Sequence, residues 1–100
     1  MHEEIIEHIM SIYAEGLDEL MGAQKYVKLA HHANNEKDRN MYAEMAREEV
    51  KHAAMLSKSG DSALSNVDPN HSIHYVWKHL KHHLTEWSDD IIHQTDKMRG

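Results

Sequence analysis

Apolar positions recur along this chain every three or four residues, and nowhere do they alternate at every second position as in a half-buried strand. Three stretches carry the helical period. In the first, about residues 3–33, Ile5, Ile9, Ile12, Gly16, Glu19, Ala23, Tyr26 and Ala30 form a stripe at alternating spacings of four and three. A second stripe, Ile6, Met10, Tyr13, Leu17, Leu20 and Val27, gives this helix apolar surface on two sides, so burial on both is expected. The second stretch, about 38–56, sets Tyr42, Met45, Glu49, His52 and Leu56 in a seam widened by Ala46, Val50 and Ala53. Glu44, Arg47, Glu48 and Lys51 fall outside that seam and read as solvated surface. The third, about 70–97, has one apolar face, Ile73, Trp77, Leu80, Leu84, Trp87 and Ile91, and a wide polar back.

Breakers set the expected boundaries. Asn34-Asn35-Glu36-Lys37 separates the first two helices, and Ser57-Lys58-Ser59-Gly60-Asp61-Ser62 predicts that the second ends near Leu56. Asp61 to Asn70 then reads as a loop, with Asp68 as cap and Pro69 at the first position of the third helix. The expected fold is one all-α domain over residues 1–100, an antiparallel helical hairpin plus a third amphipathic helix.

Composition narrows the function classes. A chain of 100 residues buries only about 60–70% of its unfolded surface, and this one has no Phe, so oligomerisation is a natural remedy. A net charge of −6 argues against nucleic acid. The absence of Cys excludes disulfides, zinc ribbons and thiol chemistry and suits a reducing cytoplasm. The acidic start, Met1-His2-Glu3-Glu4, does not resemble a signal peptide, and no apolar run approaches the roughly 18 residues of a membrane span. A cytoplasmic protein with neither membrane nor nucleic-acid partner is expected.

Candidate chemistry lies where charge interrupts the seams. Glu19 falls in the first-helix stripe, and Glu49 and His52, three apart, fall in the second. A carboxylate buried without a partner costs several kcal/mol, a large share of a typical stability of about 5–15 kcal/mol. A divalent metal supplies the compensation. Glu-x-x-His on one helix and a Glu on its neighbour is half of a carboxylate-bridged di-metal site. The break at Asn34-Asn35 lies midway between Glu19 and Glu49, so an antiparallel hairpin brings them level. Glu15 or Asp18 replaces Glu19 if the helix is rotated slightly. Tyr26 and Tyr42 read as core packing, or as hydrogen-bond partners of a ligand carboxylate.

Glu19-Leu20-Met21-Gly22-Ala23-Gln24-Lys25-Tyr26 followed by Glu49-Val50-Lys51-His52-Ala53-Ala54-Met55 resembles the ferritin-like superfamily. The likeness spans about residues 12–57 and is to its rubrerythrin branch and to the encapsulated half-ferritins. It implies a homodimer, or a larger assembly of dimers, in which two hairpins complete a four-helix bundle. Each chain would give Glu19, Glu49 and His52 to a site of two iron ions on the two-fold axis, with manganese or zinc as alternatives. Glu49 would bridge, Glu19 would be terminal and His52 would supply nitrogen. The activity implied is oxidation of Fe(II) by dioxygen or peroxide, as a ferroxidase or a small oxygen- or peroxide-reducing enzyme. With no Cys, the sequence lacks the rubredoxin module that serves peroxidase chemistry in full rubrerythrins. The alternative reading is a non-enzymatic helical oligomerisation module with a structural metal or none, using Trp77 and Trp87 as anchors.

Histidine is unusually frequent, eleven in all, with six between His71 and His93. His79 and His83 are four apart, with His82 and Glu86 nearby, which reads first as a hydrated, partly protonated helix face and otherwise as a weak accessory site for zinc or another divalent metal. A hemerythrin-like site needs further His at the same depth, and His31 and His32 lie at the far end of the first helix.

Overall fold

A computed structural model describes residues 2–98. They form α1 (His2–His31), α2 (Glu36–Ala63) and α3 (Ile73–Met98), with no strand among the described residues. None of these helices is long and apolar enough to cross a membrane. Side-chain contacts fix the directions. Glu19 meets His52 and Gly22 meets Glu49, so α1 and α2 are antiparallel. Tyr13 bonds His83 and Gln24 bonds Gln94, so α3 returns parallel to α1. The result is a rod of 52 × 18 × 15 Å, one helix pair with a third helix on one flank.

Asn35 caps α2: its backbone is extended and its side-chain carbonyl accepts the Asp38 N–H at 2.8 Å. The core runs in two clusters. One joins Leu20, Ala23, Val27, Ala46, Val50, Ala53, Leu84 and Ile91; the other joins Ile9, Ile12, Leu64, Ile73 and Trp77. The expected α3 face holds, with Ile73, Trp77, Leu84 and Ile91 buried and Leu80 and Trp87 partly so.

Four details differ from the pattern reading. First, α2 continues to Ala63, straight through the expected stop at Leu56. Its serines and Gly60 cost about 2–3 kcal/mol in helix propensity. Burial of Trp77 and Leu64, at roughly 1.5–3 kcal/mol each, outweighs that. Gly60 lies flat under the Trp77 indole, and Ser57 is buried beside it in the stripe. Second, α3 starts at Ile73 rather than near Asn70. Asp68 spends its carboxylate on the Asn70 N–H in a local turn, and the Ile73 N–H donates to His71 Nδ1 instead. Third, Ile6 and Met10 of the second α1 stripe are exposed, whereas Leu20 and Val27 further along it are buried.

Fourth, the buried stripe of α2 is Ala43, Ala46, Val50, Ala53, Ser57 and Gly60, one residue round from the expected seam. Small residues let α1 and α3 approach closely there. The seam of Met45, Glu49 and His52 therefore stands at the edge of the α1–α2 contact, with Glu49 partly buried and Met45 and His52 exposed. The expectation of charges deep in a core is corrected: within one chain they line an open face opposite α3.

Asp61 shows how α3 is held. Its two carboxylate oxygens accept from Trp77 Nε1 at 2.9 Å and from Lys81 Nζ at 2.7 Å. Burial pushes its pKa up, but the hydrogen bonds from Lys81 and Trp77 and the Lys81 charge prevail and hold it below the usual carboxylate value. A lowered folded-state pKa gives stability that is present above the unfolded value of 3.8 and is lost as pH falls through the folded one. Asp61→Asn is expected to remove that acid-side dependence and to cost about 1 kcal/mol or less at neutral pH, the pair being half exposed. Denaturant titrations at neutral and acid pH measure both effects.

Candidate metal centre

The hairpin register brings Glu19, Glu49 and His52 together, and no other group of three such residues is gathered among the described residues. One ligand atom from each lies within 4.8 Å of the others. His52 Nδ1 is 3.3 Å from Glu19 Oε2 and 3.9 Å from Glu49 Oε1. The two Glu side chains retain 26% and 27% of their exposure and His52 51%, so the group is open on one side. Glu15 lines the same shallow depression with Glu19, His52, Met55 and Leu56, but it is not one of the three converging groups.

Local sequence produces this convergence. Glu49 and His52 are one turn apart on one face of α2. Across from them α1 presents Gly22, where a Cβ would stand 3.2 Å from Glu49 Oε2, so the glycine leaves room for the carboxylate to fold down toward Glu19. Sequence reading did not single out Gly22. The signal was there, a glycine three residues after Glu19 in the middle of a long helix, where glycine costs about 1 kcal/mol relative to alanine.

The electrostatics leave the group short of positive charge. A hydrogen bond with Glu19 raises the Glu49 pKa above the usual carboxylate value, helped by burial and by the Glu19 charge, with His52 working weakly against. Two carboxylates share a proton more readily than they both ionise. A divalent cation would replace that proton, and the donor set of two carboxylate oxygens and one imidazole suits iron or manganese, with zinc also accommodated. The three residues thus fit a metal, but they provide only part of a coordination shell.

Around the group the open face is apolar. Leu29, Met41, Met45 and Met55 are all exposed. Along α1, Glu15, Glu19, Gly22, Tyr26 and Leu29 follow one another at spacings of four and three, and Met41, Met45, Glu49, His52 and Met55 do so along α2. Tyr26 packs partly against the core and Tyr42 is half-buried.

No protein-family model, curated protein or solved structure matches this chain.

Proposed function

We propose that this chain is half of a carboxylate-bridged di-iron protein of ferritin-like type, its site completed when two copies pair through the open face of the α1–α2 hairpin. The observation that carries the reading is the convergence of Glu19, Glu49 and His52 within 4.8 Å on that face. Two copies would supply four carboxylates and two imidazoles, the ligand set of a di-metal four-helix bundle. Leu29, Met41, Met45 and Met55 would form the apolar border that excludes water once paired. In this arrangement Glu49, beside Gly22, would bridge, Glu19 would be terminal, and His52 would give nitrogen.

Bound iron would supply one-electron chemistry toward dioxygen or peroxide. The chain's own contribution is to hold two carboxylates and an imidazole in register. Activity as a ferroxidase or as a small oxygen- or peroxide-reducing enzyme follows from such a site. The test is to add Fe(II) under nitrogen, admit air and record ferric absorbance and oxygen uptake. Oxidation faster than in buffer, lost in Glu49→Ala, is expected; oxidation at the buffer rate contradicts the enzymatic reading.

The exposed apolar border supports a second reading, a helical self-association module in which metal is structural or absent. Chelation separates the two. A dimer that survives chelation and never consumes oxygen favours the module without metal, and one that falls apart without oxidation having occurred favours the structural metal.

A further inference from the structure

Outside the Glu19–Glu49–His52 group, α3 holds His79 and His83 one turn apart, both exposed. Side chains four apart on a helix lie on one face and can share an ion. On an exposed helix such a pair is ordinarily mobile, and binding would have to order both rings. Here both are already constrained. Tyr13, from α1, bonds His83 Nδ1 through its hydroxyl at 2.7 Å. Tyr75 packs edge-on against the His79 ring, with centroids 4.5 Å apart and planes at 70°.

The Tyr13 contact also selects an atom. With Nδ1 engaged by the hydroxyl, the Nε2 of His83 is the nitrogen left to bind a ligand. With that Nε2 on a metal, Nδ1 carries the hydrogen and donates it to the Tyr13 oxygen, the arrangement that orients metal-binding imidazoles in general. The neighbouring pair is differently committed, since His82 Nε2 already meets Glu86 Oε1 at 2.9 Å.

We propose that His79 and His83 form a preorganised two-imidazole site for a borderline divalent transition-metal ion of the zinc and copper class, with water filling the remaining positions. Imidazole nitrogens without carboxylates favour such ions, whereas the Glu-rich hairpin group favours harder ones. The chain would then carry two metal sites of different preference.

Trp87 reports on this site because its ring lies 6.3 Å from that of His83. The test is Cu(II) titration of tryptophan fluorescence in full-length protein carrying Glu49→Ala and His52→Ala, which removes the hairpin group. Saturable quenching, absent in a Trp87→Phe version and reversed by excess Zn(II), is expected. His79→Ala and His83→Ala should each weaken it by at least about tenfold, since loss of even an outer hydrogen-bond partner costs 10–100-fold. Tyr13→Phe, with helix content checked by circular dichroism, should weaken it by roughly tenfold while leaving both imidazoles present. Quenching that persists without His79, or that is lost on His82→Ala instead, overturns the assignment; so does quenching that never saturates.

Discussion

Glu49→Gln is expected to weaken metal binding at the hairpin group while making the metal-free chain more stable above the folded-state pKa of Glu49. The two effects have one origin. Glu49 has a raised pKa, chiefly through its hydrogen bond with Glu19 and then through burial and the Glu19 charge. A carboxyl whose folded-state pKa is raised contributes stability that is complete below the unfolded value and is lost as pH rises through the folded one. Above that folded-state value the contribution is gone and two neighbouring carboxylates remain. Glutamine keeps a hydrogen-bond donor for Glu19 and carries no charge, so the loss with rising pH should disappear. Metal binding moves in the opposite direction, because an amide replaces an anionic ligand; a loss of about 100-fold or more follows, beyond the 10–100-fold cost of an outer partner. Thermal melts of the metal-free protein across the acid-to-neutral range, with metal titrations beside them, decide the matter. A melting temperature that falls, or a metal affinity that does not, contradicts this account of the group.

Gly60→Ala should destabilise, although Gly→Ala inside a helix ordinarily stabilises by about 1 kcal/mol. The added Cβ would stand 2.2 Å from Trp77 Cζ2 and 2.6 Å from Cη2, positions no real atoms occupy, so the indole must move. Trp77 is only 4% exposed and its N–H is tied to Asp61, so it has nowhere to go without losing packing and a hydrogen bond. Overpacking costs about 1–3 kcal/mol, and the lost hydrogen bond adds about 1 kcal/mol. Net of the propensity gain, a loss of roughly 2 kcal/mol remains, which in a domain this small lowers the melting temperature by about 8–16 °C. An unchanged or raised melting temperature would show that α3 does not seat Trp77 on Gly60. A Gly60→Ala, Trp77→Leu double variant should recover part of the loss.

Gly60 under Trp77 and Gly22 beside Glu49 mark the limits of what a one-dimensional pattern can reveal. The all-helical class and the buried face of α3 were legible because a period of three and four repeats without interruption from Ile73 to Ile91. The pairing of Glu19 with Glu49 was legible because the break at Asn34-Asn35 sets the register of the hairpin. The end of α2 was not. Ser57, Ser59, Gly60 and Ser62 are weak helix formers, and only the arrival of Trp77, a contact distant in sequence, makes the small residues favourable there. The start of α3 was misplaced for a similar reason, since Asp68-Pro69 serves a turn as readily as a helix cap. The depth of the charged group was misjudged because the seam of Tyr42, Met45, Glu49, His52 and Leu56 and the stripe of Ala46, Val50 and Ala53 have the same period. Periodicity alone does not say which of two adjacent faces turns inward. Alanine allows the closer approach of helices, and it forms the core; the larger seam residues are left at the edge.

That displacement changes what the charged residues imply. Charges within one chain's core would demand a metal for the chain to fold at all. Charges on an open, apolar-bordered face leave the single chain foldable and shift the demand to pairing. The most direct test is therefore iron content and oligomeric state measured together. Wild type, Glu49→Ala and His52→Ala are loaded with Fe(II) under nitrogen, freed of unbound metal by gel filtration, and analysed by elemental analysis and native mass spectrometry. The account predicts about one iron per chain in the wild type, carried by dimers, and loss of that iron in both variants. Iron content unchanged in both variants, or iron carried by single chains, would contradict it.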